Sequence, residues 1–370
     1  MIDTVVVPTG PAVADLLPRL AAALDGSGPA LRPIAAEAAL PPVEEVPGLA
    51  LVVPTSGSTG APKQVLLTAD ALRHSATAGQ RRLSPGDPGQ WLLTLPVHHI
   101  AGLNVLLRAV VGGRAPVVMD TAAPFTAAGF ATAAQRLDGP AFVSLVPTQL
   151  HRLLDDPAGT EALRRFAAVL VGGAATAPAL LDRARTAGVA VVTSYGMSET
   201  CGGCVYDGLP LDGVSATLDD TGRIELAGPV VAVGYAGRPP FPPGRFVTSD
   251  LGRITDGRLA VLGRADDVLI SGGVNVAPQA VENALAAVPG VGQIAVTGVA
   301  DPEWGTRIVA VVVPDGAGPR LDDLRTRATA AIGAAASPKD LVLVDALPVL
   351  PLGKVDRAAV AQLARAATGG

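Results

Sequence analysis

The pattern of apolar and polar positions changes character along the 370 residues. From about residue 49 to 200, short β-rich runs alternate with stretches of helical spacing. "LALVVP", "WLLTLP", "APVVM", "AFVSLVP", "AAVLVGG" and "VAVVTSYG" read as strands, and helices are predicted at about 69 to 81, 100 to 111, 126 to 137 and 177 to 187. This alternation is the signature of βα units around a largely parallel sheet. Gly112 and Gly113 supply the stop for the second helix.

From about 204 to 262 the pattern turns to short strands with Gly, Pro and Asp turns, as in "GRIELAGP" and "GRFVTSDLGRITDGRLAVLG", and predicts a small antiparallel or barrel-like section. After Gly263 a further unit begins. "VLISGG", "GQIAVTGVA" and "RIVAVVVP" read as strands, and "PQAVENALAAV" and "LDDLRTRATAAIG" as helices. The expected fold is therefore α/β: a large domain over 1–263 with βα subdomains and the small β-section, then a small α+β domain over 264–370. No internal repeat is visible.

Composition adds a core and removes some functions. With 49% hydrophobic and 16% charged residues the chain has ample material for burial. Its net charge of -5 argues against a broad basic surface for nucleic acid or anionic lipid, so an anionic ligand must be held by local groups. The N-terminal "MIDTVVVPTGPAVADLLPRL" lacks the cationic-then-apolar form of a leader, and no run reaches the roughly 18 apolar residues of a membrane span, so a cytoplasmic protein without membrane insertion is expected. Cys201 and Cys204 form a lone CxxC with no further metal-ligand spacing, and read as reduced thiols in a glycine-rich turn. Of the 28 basic residues only Lys63, Lys339 and Lys354 are lysines. A lysine kept where arginine fills the other cationic positions is one that serves as a compact point charge.

The strongest local signal is "PTSGSTGAPKQVLLT", Pro54 to Thr68. Thr55, Ser56, Gly57, Ser58, Thr59 and Gly60 allow backbone N–H groups and hydroxyls to surround phosphate oxygens without side-chain clashes, and Lys63 adds charge. It is not a Walker A loop: Lys63 follows Gly60 with Pro62 between, and "KQVLLT" reads as a strand rather than a helix. A phosphate loop joining two strands is implied.

"TSGSTGAPK" resembles the phosphate-binding signature of the adenylate-forming superfamily of acyl-CoA synthetases, peptide-synthetase adenylation domains and luciferases, and its companions follow in order over about residues 50 to 360. "VGGAAT", with Gly172, Gly173 and Ala174, resembles the segment lining the adenine pocket. "SYGMSET" resembles the segment whose aromatic residue, here Tyr195 beside Gly196, covers adenine; the resemblance makes Glu199 the magnesium ligand and Thr200 a phosphate contact. "TSDLGRI" implies Asp250 at the ribose hydroxyls. "GRADDVLISGGVNVAPQAVE" implies Arg264 at the ribose, Asp266 as interdomain hinge, and Gly272 and Gly273 at a tunnel for the pantetheine arm of coenzyme A. "LPLGKVDR" implies Lys354 as the catalytic lysine. ATP, Mg²⁺ and coenzyme A are the implied cosubstrates, a small-molecule carboxylic acid is the partner, and a homodimer is compatible with the resemblance.

The chemistry explains these residue types. A carboxylate attacking the α-phosphate of ATP brings negative charges together, so the site must shield charge and hold the groups in line. For the acid, "LPVHHIAGLNVLLRAVVGG" resembles the family's acyl-pocket segment, with His99 at its usual histidine. Arg108, nine residues on, falls in about the same helical quadrant and can pair with a second carboxylate. "SYGMSETCGGCVYDGLPLDGV" resembles actinobacterial o-succinylbenzoate-CoA ligases of menaquinone biosynthesis, whose substrate carries two carboxylates. Gln64 and Ser249 depart from common glycines, and the N-terminal region is short for the superfamily. Another acyl- or aryl-CoA ligase, and a stand-alone adenylation enzyme loading a carrier protein, remain alternatives.

Overall fold

The computed structural model describes residues 1–37, 40–44, 46–55, 63–121, 123–349 and 355–369. Four sheets organise the described residues. In the first, Ile2–Val6, Ala30–Ile34 and Leu49–Thr55 run parallel, Lys63–Thr68 returns antiparallel to Leu49–Thr55, and Gly234–Tyr235 pairs beyond it. "KQVLLT" is a strand, as its pattern predicts, and pairs antiparallel with Leu49–Thr55. Ser56, Gly57, Ser58, Thr59 and Gly60 lie outside the described residues.

The second sheet carries the expected βα units. Val117–Val118, Gln90–Leu93, Ala141–Leu145, Ala168–Gly172 and Val191–Met197 are parallel, and Gly202–Tyr206 and Leu209–Pro210 extend it antiparallel. Its strands are apolar on both sides because both faces are covered. Phe142, Ala168 and Leu170 pack on the helices Leu16–Asp25, Ala69–Leu83 and Ile100–Gly112, which lie between the first two sheets. Val143, Leu145, Val169 and Val171 point the other way, onto Ala127–Ala134, Pro147–Leu154, Pro157–Leu163 and Pro178–Thr186. Thr68 caps the Ala69–Leu83 helix by accepting the Ala71 N–H at 3.3 Å, and Gly113 ends Ile100–Gly112 at φ 67°, a left-handed turn that glycine adopts without strain.

The third sheet, Ser215–Leu218, Arg223–Ala227, Arg245–Thr255 and Arg258–Arg264, is the antiparallel section seen in the pattern; its described strands form an open four-stranded order. The fourth sheet contains the expected C-terminal strands. Val296, Ile308, Ala310 and Val312 face Pro278–Leu285 and Leu321–Ala331, while Ala295, Val299, Val309 and Val311 face the terminal helix Arg357–Thr368. This alternation sandwiches the sheet between helices. No helix among the described residues is long and apolar enough to cross a membrane.

The pattern left several elements unassigned. The N-terminal strand–helix–strand over 2–34 completes the first sheet, the short Pro147–Leu154 and Pro157–Leu163 helices join two strands of the second, and Asp340–Leu343 and Arg357–Thr368 complete the C-terminal unit.

Candidate active site

The parallel strands of the second sheet end on one edge, and two segments singled out in the sequence lie side by side there: Gly172 pairs with Ser194, so Gly172, Gly173 and Ala174 follow one strand end while Tyr195 and Gly196 continue its neighbour. Ligands of open α/β sheets bind at this carboxyl edge. Gly173 and Ala174 are exposed there, and Gly173 turns at φ 78°.

Tyr195 is held from the third sheet. Its hydroxyl donates to Asp250 Oδ2 at 2.8 Å, and burial followed by the nearby Asp250 charge pushes the phenol well up, keeping it protonated. Asp250 pairs across the sheet with Arg264, whose guanidinium lies 3.7 Å from Asp250 Oδ1 and 3.1 Å from Asp266 Oδ2. The structure thus gathers Tyr195, Asp250, Arg264 and Asp266 into one hydrogen-bonded and ionic chain, with Asp266 at the boundary between the third and fourth sheets.

A second cluster forms where the first sheet meets the single 3₁₀ turn Ser198–Thr200. Tyr235 pairs with Val65, next but one to Lys63, and donates its hydroxyl to Glu199 Oε1 at 2.6 Å. Lys63 Nζ sits 5.1 Å from the Tyr235 ring centre. Burial and the Glu199 carboxylate push the Tyr235 phenol up, so it remains a donor. Among the described residues Tyr235 is the one side chain bonded to this carboxylate, which leaves the other oxygen for a ligand. One carboxylate oxygen beside the Lys63–Thr68 strand suits Mg²⁺, which usually takes only one or two protein carboxylates.

Thr200 sits differently from its expected phosphate contact. It is 0% exposed; its hydroxyl bonds to Gly202 O at 2.9 Å and accepts the Met197 N–H at 3.1 Å, closing the turn. The neighbouring Ser198 is only partly buried, so the hydroxyl left accessible beside Glu199 belongs to Ser198, which sequence reading passed over. Tyr235 was also missed, because no local pattern announces a tyrosine that reaches Glu199 from another sheet.

The structure separates His99 and Arg108 rather than stacking them on one helical quadrant: His99 is the N-cap of Ile100–Gly112, in extended backbone (φ -113°, ψ 148°) with its ring centre 4.1 Å from that of His98, and Arg108 lies within the helix. Arg108 is buried. Its Nη2 donates to the Tyr206 hydroxyl at 2.9 Å, and its guanidinium carbon lies 4.5 Å from the Trp91 ring centre. Gly272 and Gly273 form the two-residue turn between Leu269–Ser271 and Val274–Val276, both at positive φ (56° and 76°), the conformation that a tight hairpin requires. Cys201 and Cys204 are free and buried, and burial pushes both thiols up, Cys204 to about 11. Lys354 lies outside the described residues.

The family pattern described as AMP-binding enzyme matches residues 11–239, and that of its C-terminal domain matches 280–354. The chain belongs to the AMP-binding enzyme family. The match begins at residue 11, well before the roughly residue 50 expected from the motifs, and takes in the Leu16–Asp25 helix and the Ala30–Ile34 strand but not the Ile2–Val6 strand. Among AMP-binding relatives, a probable 2-succinylbenzoate–CoA ligase of Mycobacterium tuberculosis is 46% identical over 370 residues, covering 96% of each chain. The o-succinylbenzoate CoA synthetase of Bacillus subtilis, solved with the acyl-adenylate intermediate, superposes with a TM-score of 0.72 at 27% identity, covering 92% of this chain and 80% of that one. The same enzyme solved with ATP and a magnesium ion gives a TM-score of 0.71 at 26% identity, covering 94% of this chain and 82% of that one.

Proposed function

We propose that this AMP-binding enzyme is a 2-succinylbenzoate–CoA ligase of menaquinone biosynthesis, working in the cytoplasm. In the first step the acid's carboxylate attacks the α-phosphorus of ATP and pyrophosphate leaves, giving an acyl-adenylate. In the second, the thiol of coenzyme A attacks the acyl carbon and AMP leaves. The protein supplies no covalent nucleophile.

The residues divide by task. The 55–60 loop and Lys63 hold phosphates, with the Ser198 hydroxyl beside them. Glu199, kept in place by Tyr235, would hold magnesium, whose charge neutralises the phosphate oxygens during attack. Tyr195, pinned by Asp250, covers adenine opposite Gly172, Gly173 and Ala174, while Asp250 and Arg264 take the ribose. Lys354 adds an ammonium in the first step. Residues 1–263 form the large domain and 264–370 the small one; the small domain turns about Asp266 between steps, withdrawing Lys354 and bringing Gly272 and Gly273 to the acyl group. His99 and Arg108 bind the acid.

The choice of acid rests on Arg108. It is 5% exposed, its Nε has no partner, and among the described residues no carboxylate pairs with it. A buried cation left unpaired is costly, and an acid with a second carboxylate supplies the missing anion. Pyrophosphate release measured with a panel of acids, with and without coenzyme A, tests this. Release is expected with 2-succinylbenzoate, with a thioester formed when coenzyme A is present. Equal release with benzoate or fatty acids overturns the choice of acid, and adenylate without thioester points to a carrier-loading enzyme.

A further inference from the structure

Arg108 is fixed from two sides. Trp91 lies beneath its guanidinium and is itself anchored, its indole N–H donating to Gln80 Oε1 at 3.0 Å. Tyr206, fully buried on the strand Gly202–Tyr206, accepts the Nη2 proton. Arginine has no acceptor atom, so in this contact the Tyr206 oxygen receives, and its own O–H proton has no acceptor among the described residues. Burial pushes the phenol up against the pull of Arg108, so that proton stays on the oxygen at neutral pH.

The Ala69–Leu83 helix closes on this pair at a glycine. A Cβ at Gly79 would lie 3.0 Å from the Tyr206 hydroxyl and 3.5 Å from Arg108 Nη2. One helical turn before Arg108, Asn104 gives its amide to Cys201 O at 2.9 Å and leaves its buried Oδ1 unpartnered; an acceptor repels an anion, so Asn104 borders the site without belonging to it.

We propose that Tyr206 is a specificity-determining ligand of the acid's second carboxylate, its free O–H donating to one oxygen while Arg108 N–H groups hold the other. This rests on the assignment of Arg108 to the acid. Two donors at fixed angles, one neutral and one charged, recognise a planar carboxylate more selectively than a single cation does. No bond is made or broken, so the effect falls on binding.

The test compares 2-succinylbenzoate with two monocarboxylate analogues, one lacking the ring carboxylate and one lacking the succinyl carboxylate, using whichever is adenylated. Tyr206→Phe keeps the ring and removes the O–H. It is expected to raise KM for the dicarboxylate about 10-fold, the scale of one hydrogen bond to a charged group, with kcat within about two-fold and KM for ATP and the monocarboxylate unchanged. An equal rise for both acids, or no rise, overturns the proposal. Gly79→Ala, which adds one methyl against the same hydroxyl on a helix, is expected to act with the same selectivity, and decides the matter if Tyr206→Phe does not fold. Wild-type enzyme showing no preference for the dicarboxylate overturns the choice of acid itself; a wild-type preference that Arg108→Lys abolishes and Tyr206→Phe leaves intact overturns only the role of Tyr206.

Discussion

At the scale of single residues, the features most open to sequence reading are those whose chemistry is rare in the composition. Glu199 and Asp250 stand in segments that carry a resemblance, and both are held in place by tyrosines: Asp250 at 2.8 Å by Tyr195, which the sequence singled out, and Glu199 at 2.6 Å by Tyr235, which it did not. Tyr195 lies within its motif; Tyr235 does not. In the proposed mechanism Tyr235 orients the magnesium ligand, and a residue in that position changes metal affinity without touching the metal. Tyr235→Phe is therefore expected to raise the magnesium concentration for half-maximal pyrophosphate release by about 10-fold, with KM for the acid unchanged; an unchanged magnesium dependence would remove Tyr235 from this role. Thr200 shows the opposite limit. Its place in "SYGMSET" is legible, but only the three-dimensional turn shows its hydroxyl facing inward and that of Ser198 left accessible.

At the scale of elements, the long periodic segments were legible, and so were the short Ala127–Ala134 and Pro178–Thr186 helices that fill separate strand-to-strand connections, while two short adjacent helices and the terminal one were not. Ala69–Leu83 and Ile100–Gly112 carry a cap or a glycine stop together with sustained periodicity. Pro147–Leu154 and Pro157–Leu163 are each about two turns, separated only by Asp155 and Asp156, and the break with its proline interrupts the periodicity of both. The terminal helix Arg357–Thr368 begins three residues after Lys354, and two contacts fix its start. Asp356 accepts the N–H groups of Ala358 and Ala359, both at 3.1 Å, and Arg357 forms an ion pair with buried Glu282, which also accepts the Val296 N–H at 2.7 Å. Asp356→Ala is expected to cost about 1 kcal/mol of stability, the usual worth of an N-cap, read as a lower denaturant midpoint with an unchanged slope. No loss of stability would show that the Glu282–Arg357 pair alone holds the helix start.

At the scale of the whole molecule, the two-domain reading makes Lys354 an actor in one step only. Lys354→Ala is expected to lower acyl-adenylate formation by about 100-fold or more, as loss of a preorganised charge stabiliser does, while thioester formation from supplied acyl-adenylate persists. Equal loss in both half-reactions would refute a lysine that is withdrawn between steps. The sequence by itself determined the βα alternation apart from the Pro147–Leu154 and Pro157–Leu163 helices, the antiparallel section, most of the C-terminal α+β unit and the motifs, because periodicity and local turn chemistry are written into neighbouring residues. The tertiary structure alone decided which motifs meet. Tyr235 reaches Glu199 because Gly234–Tyr235 adds to the edge of the first sheet, and Arg108 meets Tyr206 and Trp91 because a helix is packed between two sheets. Those contacts join residues up to 98 positions apart, as Arg108 and Tyr206 are, and separations of that length are fixed by burial of apolar surface around the pair, which no local pattern encodes.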